Sequence, residues 1–156
     1  MAKVEIAIPV FGYKTHVSID RKHGFVRRFT VTSAAAHDGA QLANVLDPAN
    51  TASEVWADTA YLSKANEAYL ARHGRRSKIH FRRQPGRDLT PSQRKANRAR
   101  SKVRSGVETV FAAQKHRFSL FVRTIGLARA RTKTGHANLA YNLKRVLWIE
   151  TRSGVA

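Results

Sequence analysis

Two hydrophobic periods run through this chain, and together they limit the folds open to it. From Lys14 to Asp20 apolar and polar residues alternate, with Val17 and Ile19 on one face. Phe25 to Thr32 reads as a second such run, carrying Val26, Phe29 and Val31. A period of two belongs to a strand with one buried face. Arg21-Lys22-His23-Gly24 between the runs supplies a turn, so residues 14–32 predict a β-hairpin. Farther along, the period becomes helical. Val103, Val107, Val110 and Phe111 fall at i, i+4, i+7 and i+8, and so do Leu139, Leu143, Val146 and Leu147.

The stretch between these patterns alternates in type. Ser33 to Asp38 is a loop of small residues, and Asp38 reads as the N-cap of a short helix carrying Leu42, Val45 and Leu46. Asp47-Pro48 stops that helix. Glu54-Val55-Trp56-Ala57 has the length of a buried strand and ends at Asp58. Ser63 caps a helix to about Arg72 with Gly74 behind it, and Ser77 to Phe81 reads as another strand. Arg82 to Arg87 is a basic loop punctuated by Pro85-Gly86. Thr90-Pro91-Ser92-Gln93 is a capping box that opens the long helix. Strands alternating with helices predict an α/β sheet rather than a bundle. A length of 156 residues suits one domain, 1–156.

Charge divides the chain. Lysine and arginine number 29 against ten acidic residues, a net charge of +19. Residues 1–67 hold seven basic and seven acidic side chains, whereas residues 68–149 hold 21 basic ones and only Asp88 and Glu108. Such a surface calls for a polyanion, because each phosphate neutralised releases counterions. A membrane surface would want large apolar residues opposite the charges, and the densest basic stretch, Arg72 to Arg104, has few. That segment, 72–104, is therefore the expected nucleic-acid contact. Its contacting residues are Arg82, Arg83, Arg87, Arg94, Lys95, Arg98, Arg100 and Lys102, with Lys14 from the hairpin. No apolar run approaches the roughly 18 residues of a membrane span. The N-terminus is too polar for a secretory signal, and cysteine is absent, so a cytoplasmic protein is expected. The seven histidines show no paired ligand spacing, and Ser105 lies in no nucleophile elbow.

Two carboxylates stand in informative places. Asp58 follows a predicted buried strand, where active sites of α/β sheets gather. Glu108 is the only acidic residue between Asp88 and Glu150. At 100° per residue, Arg104 lies about 40° and Lys115 about 20° to the same side of Glu108, at the margin of the apolar stripe. Carboxylates brought together repel unless a cation joins them. Mg²⁺ takes carboxylate oxygens, and a pair of such ions can serve an in-line displacement at a phosphodiester. Arginine and lysine alongside can hold the phosphate. The same residues also fit plainer roles: Arg104 and Glu108 as an i, i+4 helix ion pair, Asp58 as the cap of the turn after its strand.

Four stretches now bring a family into view. They are Phe11-Gly12-Tyr13-Lys14-Thr15-His16-Val17-Ser18-Ile19-Asp20, then Ala36-His37-Asp38-Gly39, then Val55-Trp56-Ala57-Asp58-Thr59-Ala60-Tyr61, and finally Arg104, Glu108 and Lys115 at their spacing. With them the chain resembles DDE-type transposases of bacterial insertion sequences, in the insertion-sequence-five group, which is related to the insertion-sequence-four group. The resemblance runs from Phe11 to Trp148. It implies a ribonuclease-H-like mixed sheet with flanking helices, and metal-dependent DNA cleavage and strand transfer using Mg²⁺ or Mn²⁺. It implies catalytic roles for Asp58 and Glu108, which would hold the metal, and for Arg104 and Lys115, with Tyr13, His37, Asp38 and Tyr61 in support. Double-stranded DNA, both element ends and target, would be the partner, in a nucleoid-associated homo-oligomer.

Two departures stand out. Ser101 occupies the place where the signature usually has tyrosine. The first catalytic aspartate of the family sits on a strand upstream of Gly-Tyr-Lys, and this chain has no matching position. Asp20 and Asp38 are poor substitutes, one at a hairpin turn and the other in the His-Asp motif. The chain is therefore expected to be the C-terminal portion of a catalytic domain lacking its first strand. A truncated copy, a second reading frame joined by frameshifting to an upstream portion, or a start set too far downstream would each produce it. Alone it is expected to be inactive in strand transfer. The rival reading is a non-catalytic basic nucleic-acid-binding protein.

Overall fold

The computed structural model describes residues 12–50 and 53–154; Phe11, at the head of the first resembling stretch, lies outside them. The predicted hairpin forms from strands β1 (Tyr13–Ile19) and β2 (Val26–Ser33), paired antiparallel. Ser18 faces Arg28 and Ile19 faces Val26, so Arg27 bulges out of β2. Asp20 closes the connecting turn, its carboxylate accepting from the amides of His23 and Phe25 at 2.6 and 2.9 Å.

A 3-10 turn (Asp38–Gln41) leads into one short helical turn, α1 (Leu42–Val45). Asp38 does not cap it as expected. His37 holds the cap position without a side-chain bond, and the Asp38 carboxylate pairs instead with the Lys14 ammonium at 3.0 Å. A charged partner across the chain outcompetes a backbone amide.

The predicted strands at 54–57 and 77–81 shrink to β3 (Glu54–Val55) and β4 (Arg76–Ser77), which pair in parallel. Helix α2 (Lys64–Arg72) joins them, opened by the Ser63 hydroxyl on the Asn66 amide and followed by Gly74 at φ +64°. Single bonds continue the pairing from Lys78 to Val55 and from His80 to Ala57. At Phe81 the side chain of Asn97 takes both backbone groups, N–H and C=O, and the ladder stops. The expected single mixed sheet therefore shows, among the described residues, as two separate two-stranded sheets. Leu42, Leu70 and Ile79 form the core between them, with Val55, Tyr61 and Leu62 against it.

Two 26-residue helices complete the fold: α3 (Pro91–His116) and α4 (Leu127–Arg152). The Thr90–Gln93 capping box forms as predicted. Gly106 lets α3 cross β1 closely; a Cβ there would lie 3.2 Å from the Ile19 side chain. Val110 is fully buried, while Val103 and Val107 are half-buried and Phe111 is 37% exposed.

Helix α4 differs from the sequence expectation. Its buried residues are Ala130, Thr134, Ala137 and Asn138. Leu139, Leu143, Val146 and Leu147 are exposed. Small residues let the helix come close to β2 and α3, and the Asn138–Gln114 side-chain bond anchors the polar end of that contact. Asn142 fastens the same helix to β2 by taking both the N–H and the C=O of Val26. No described helix is long and apolar enough to cross a membrane.

Candidate functional site

A cleft of about 830 Å³ opens between the hairpin, the turn after β3 and the middle of α3. Asp20, Asp38, Asp47, Glu54, Asp58 and Glu108 line it, six of the ten acidic residues in a chain of net charge +19. Arg21, Arg75, Lys102, Arg104 and Arg145 also border it. Most of the scarce acid of this molecule thus lines one cleft, interleaved with basic side chains.

Asp58 sits three residues past β3, as the N-cap of a 3-10 turn (Thr59–Tyr61). One oxygen, Oδ1, accepts from the Ala60 amide at 2.8 Å. The other, Oδ2, lies 3.7 Å from Nη1 of Arg104. The other terminal nitrogen of Arg104, Nη2, donates to Glu108 Oε1 at 3.0 Å. A single guanidinium therefore lies between the two carboxylates proposed from sequence. Its own Nε is buried without a hydrogen-bond partner. The two plainer roles, turn cap and helix ion pair, are both present in the geometry alongside this convergence.

The turn that carries Asp58 is held from behind. Gly39 presses against it, and a Cβ at that position would sit 2.5 Å from the Ala60 carbonyl oxygen, so no side chain fits. Asn66 donates to the carbonyls of Gly39 and Tyr61 at 2.9 and 2.7 Å, tying the Ala-His-Asp-Gly segment to the Asp58 turn. His16, buried in β1, bridges the Tyr61 hydroxyl at 3.4 Å and the Thr32 hydroxyl at 3.0 Å. Burial lowers the His16 pKa, against the pull of Asp38. Burial raises that of Tyr61 to about 12, with Asp38 and Asp58 adding to the shift. Sequence reasoning passed over His16; its place on an alternating strand beside Gly-Tyr-Lys is the signal that pointed to it.

The remaining expected residues scatter. Lys115 is exposed, two turns beyond Glu108 on α3, and does not line the cleft. The Tyr13 hydroxyl accepts from the Gly126 amide at 2.8 Å, away from the cleft lining. His37 is exposed at the start of the 3-10 turn.

Of the basic residues assigned to DNA, several have internal partners. Lys14 holds Asp38 and the Ala36 carbonyl, Arg82 donates to the Thr59 carbonyl, and Arg83 pairs with Asp88. Arg100 stacks over Phe81, 4.2 Å from the ring centre, and donates to the Ile79 carbonyl. Arg87, Arg94, Lys95, Arg98 and Lys102 stand in solvent without a side-chain ion pair among the described residues.

Residues 10–143 match the family model described as Transposase DDE domain. The chain belongs to that family. A transposase for insertion sequence element IS1106 from Neisseria meningitidis serogroup B is 33% identical over 107 residues, covering 69% of this chain and 37% of the relative. This DDE-domain chain thus spans little more than a third of the length of that curated relative. No solved structure matches it.

The two carboxylates of the DDE-domain chain suit a divalent cation. Both are hard oxygen donors, both are open to solvent, and both already reach toward one cationic group. One or two carboxylates, with water and phosphate completing the shell, is an ordinary Mg²⁺ environment. Among the described residues no cluster of three or more ligating side chains forms.

Proposed function

We propose that this chain is the part of a DNA transposase that supplies two metal-holding carboxylates, Asp58 and Glu108, next to a basic DNA-contacting surface. The observation that carries the reading is the meeting of both carboxylates on Arg104, at the edge of the acidic cleft. The finer ribonuclease-H-like assignment and the insertion-sequence-five placement are part of the same proposal. They are supported by the order hairpin, short strand ending near Asp58, then long helix bearing Glu108.

In this reading Asp58 and Glu108 hold Mg²⁺ or Mn²⁺. A divalent cation held by these two carboxylates would supply activation of the attacking oxygen and stabilisation of the leaving one in phosphodiester displacement. The protein side of the reaction is positioning. The Ala60 amide orients the Asp58 carboxylate, and α3 presents Glu108 one turn beyond Arg104. Arg104 is placed to hold a non-bridging phosphate oxygen with Lys102 beside it. Lys115 would contact DNA farther along α3. The exposed cations of the 72–104 segment fix the duplex by its backbone, which tolerates any sequence. Element ends and target DNA are the proposed partners. Because transposition brings two ends together, a homo-oligomer acting in the cytoplasm at the nucleoid is proposed with them.

A second reading has its own support. Arg104 satisfies Glu108 within one helix and Ala60 satisfies Asp58 within one turn, so both carboxylates have partners without a metal. That arrangement suits a non-catalytic DNA-binding protein. Calorimetric titration of Mn²⁺ into the wild type, Asp58→Ala and Glu108→Ala separates the two. Saturable binding that either substitution abolishes is the expected result. Equal heats in all three proteins would leave only the basic binder.

A further inference from the structure

The region from the end of α3 through α4 carries basic charge largely outside the cleft. Between Glu108 and Glu150 the chain has eight lysines and arginines, of which Arg145 alone lines the cleft among the described residues, and no acidic residue. None of the eight takes part in an ion pair among the described residues. On α4, Arg129, Lys133 and His136 fall within an arc of about 60° at 100° per residue. All three are exposed, beside the buried stripe that holds the helix in place.

These side chains border a shallow recess of about 360 Å³, completed by Thr124, Ala128 and Thr132. The Thr124 hydroxyl is buried and has no hydrogen-bond partner among the described residues. Thr132 donates to the Ala128 carbonyl, and Lys133 donates to the Phe121 carbonyl, which leaves protons on its ammonium free. An unmet hydroxyl in the wall of a recess ringed by cations marks a place for an anionic oxygen.

We infer that this recess binds a phosphate of a DNA backbone, as a surface distinct from both the cleft and the 72–104 segment. Arg129 offers the planar fork that matches phosphate oxygens, Lys133 a mobile point charge, and Thr124 a short directional bond. The inference rests on the DNA-handling reading. It adds a separate surface, on residues outside the segment to which that reading assigns DNA binding.

Fluorescence anisotropy of a labelled duplex, measured across a series of salt concentrations, tests it. Arg129→Gln combined with Lys133→Gln should flatten the dependence of log K on log salt by about 0.9 for each phosphate that is no longer neutralised. Lys22→Gln combined with Lys64→Gln removes the same charge from exposed positions in the neutral half and should leave the slope unchanged. Thr124→Val should weaken binding about five- to tenfold. Its melting temperature should hold or rise, since a buried unmet hydroxyl is replaced by a methyl group. A slope unchanged in the α4 variant, an equal flattening in the control pair, or no effect of Thr124→Val overturns the inference. So does a Thr124→Val variant that loses binding to anionic lipid vesicles while keeping DNA affinity. A wild type that binds no duplex sinks the DNA reading along with it; a wild type that binds while the α4 variants match it sinks this inference alone.

Discussion

At the scale of single residues, the cleft turns on Arg104. Its guanidinium sits where a metal would have to compete, held by Asp58 and Glu108. Exposed pairs of this kind are worth about 0.2–1 kcal/mol. Arg104→Gln should therefore tighten Mn²⁺ binding by up to about fivefold, read by calorimetry; weaker binding would mean that Arg104 assembles the carboxylates rather than competing for them. Gly39 is a second such residue. Gly39→Ala drives a methyl group into the Ala60 carbonyl. It should cost about 1–3 kcal/mol in urea unfolding and loosen the turn that aims Asp58. His16 sets a pH dependence. Burial holds its pKa below the ordinary 6.5, so the unfolded chain takes up a proton that the folded chain resists. Its stabilising contribution is complete above about pH 6.5 and is lost as the pH falls toward the folded pKa. The melting temperature should drop from pH 7 to pH 5, and His16→Gln should flatten that drop; an identical drop in the variant would remove His16 as its source.

At the scale of elements, asparagines do the fastening. Asn97 of α3 satisfies both backbone groups of Phe81, and Asn142 of α4 does the same for Val26. Each stands in for a neighbouring strand at a point where the sheet ends. The Asn97 pair also ties Phe81, at the head of the basic loop 82–87, to the helix that carries Glu108. Asn97→Ala leaves two peptide groups of Phe81 without partners and should cost about 1–3 kcal/mol. Trypsin cleavage at Arg82 and Arg83 should accelerate well below the melting temperature. Unchanged cleavage would show that the loop is held by other interactions, such as Arg100 over Phe81.

At the scale of the whole molecule, charge is spread unevenly. Six of the ten acidic residues line one cleft, while α3 and α4 together carry 13 of the 29 basic side chains against two acidic ones. On the proposed function, such a surface would draw duplex DNA and the cleft would take a divalent cation. Two carboxylates converge in that cleft, whereas a two-ion displacement ordinarily draws on a larger ligand set. The purified chain with Mg²⁺ or Mn²⁺ should therefore bind duplex DNA with steep salt dependence yet transfer little or no strand. Robust transfer abolished by Asp58→Ala would refute this.

Local pattern and backbone chemistry were enough to read the hairpin, the Ser63 cap, the Thr90–Gln93 capping box and the α/β alternation, because each depends on neighbours a few residues away. The family, too, was legible, through motifs whose spacing survives in the chain. Strand length was not: the β3–β4 pairing thins to single bonds at Lys78 and His80 and ends at Phe81, whose backbone groups are taken by Asn97, distant in sequence. Nor was the buried face of α4. The leucine spacing pointed to Leu139 and Leu143, but close approach to β2 and α3 favoured the small residues Ala130, Thr134 and Ala137. The single guanidinium shared by Asp58 and Glu108 is likewise a tertiary fact. Helix geometry could put Arg104 beside Glu108, but only the packing of α3 across the turn after β3 brought Asp58 to the other side of it.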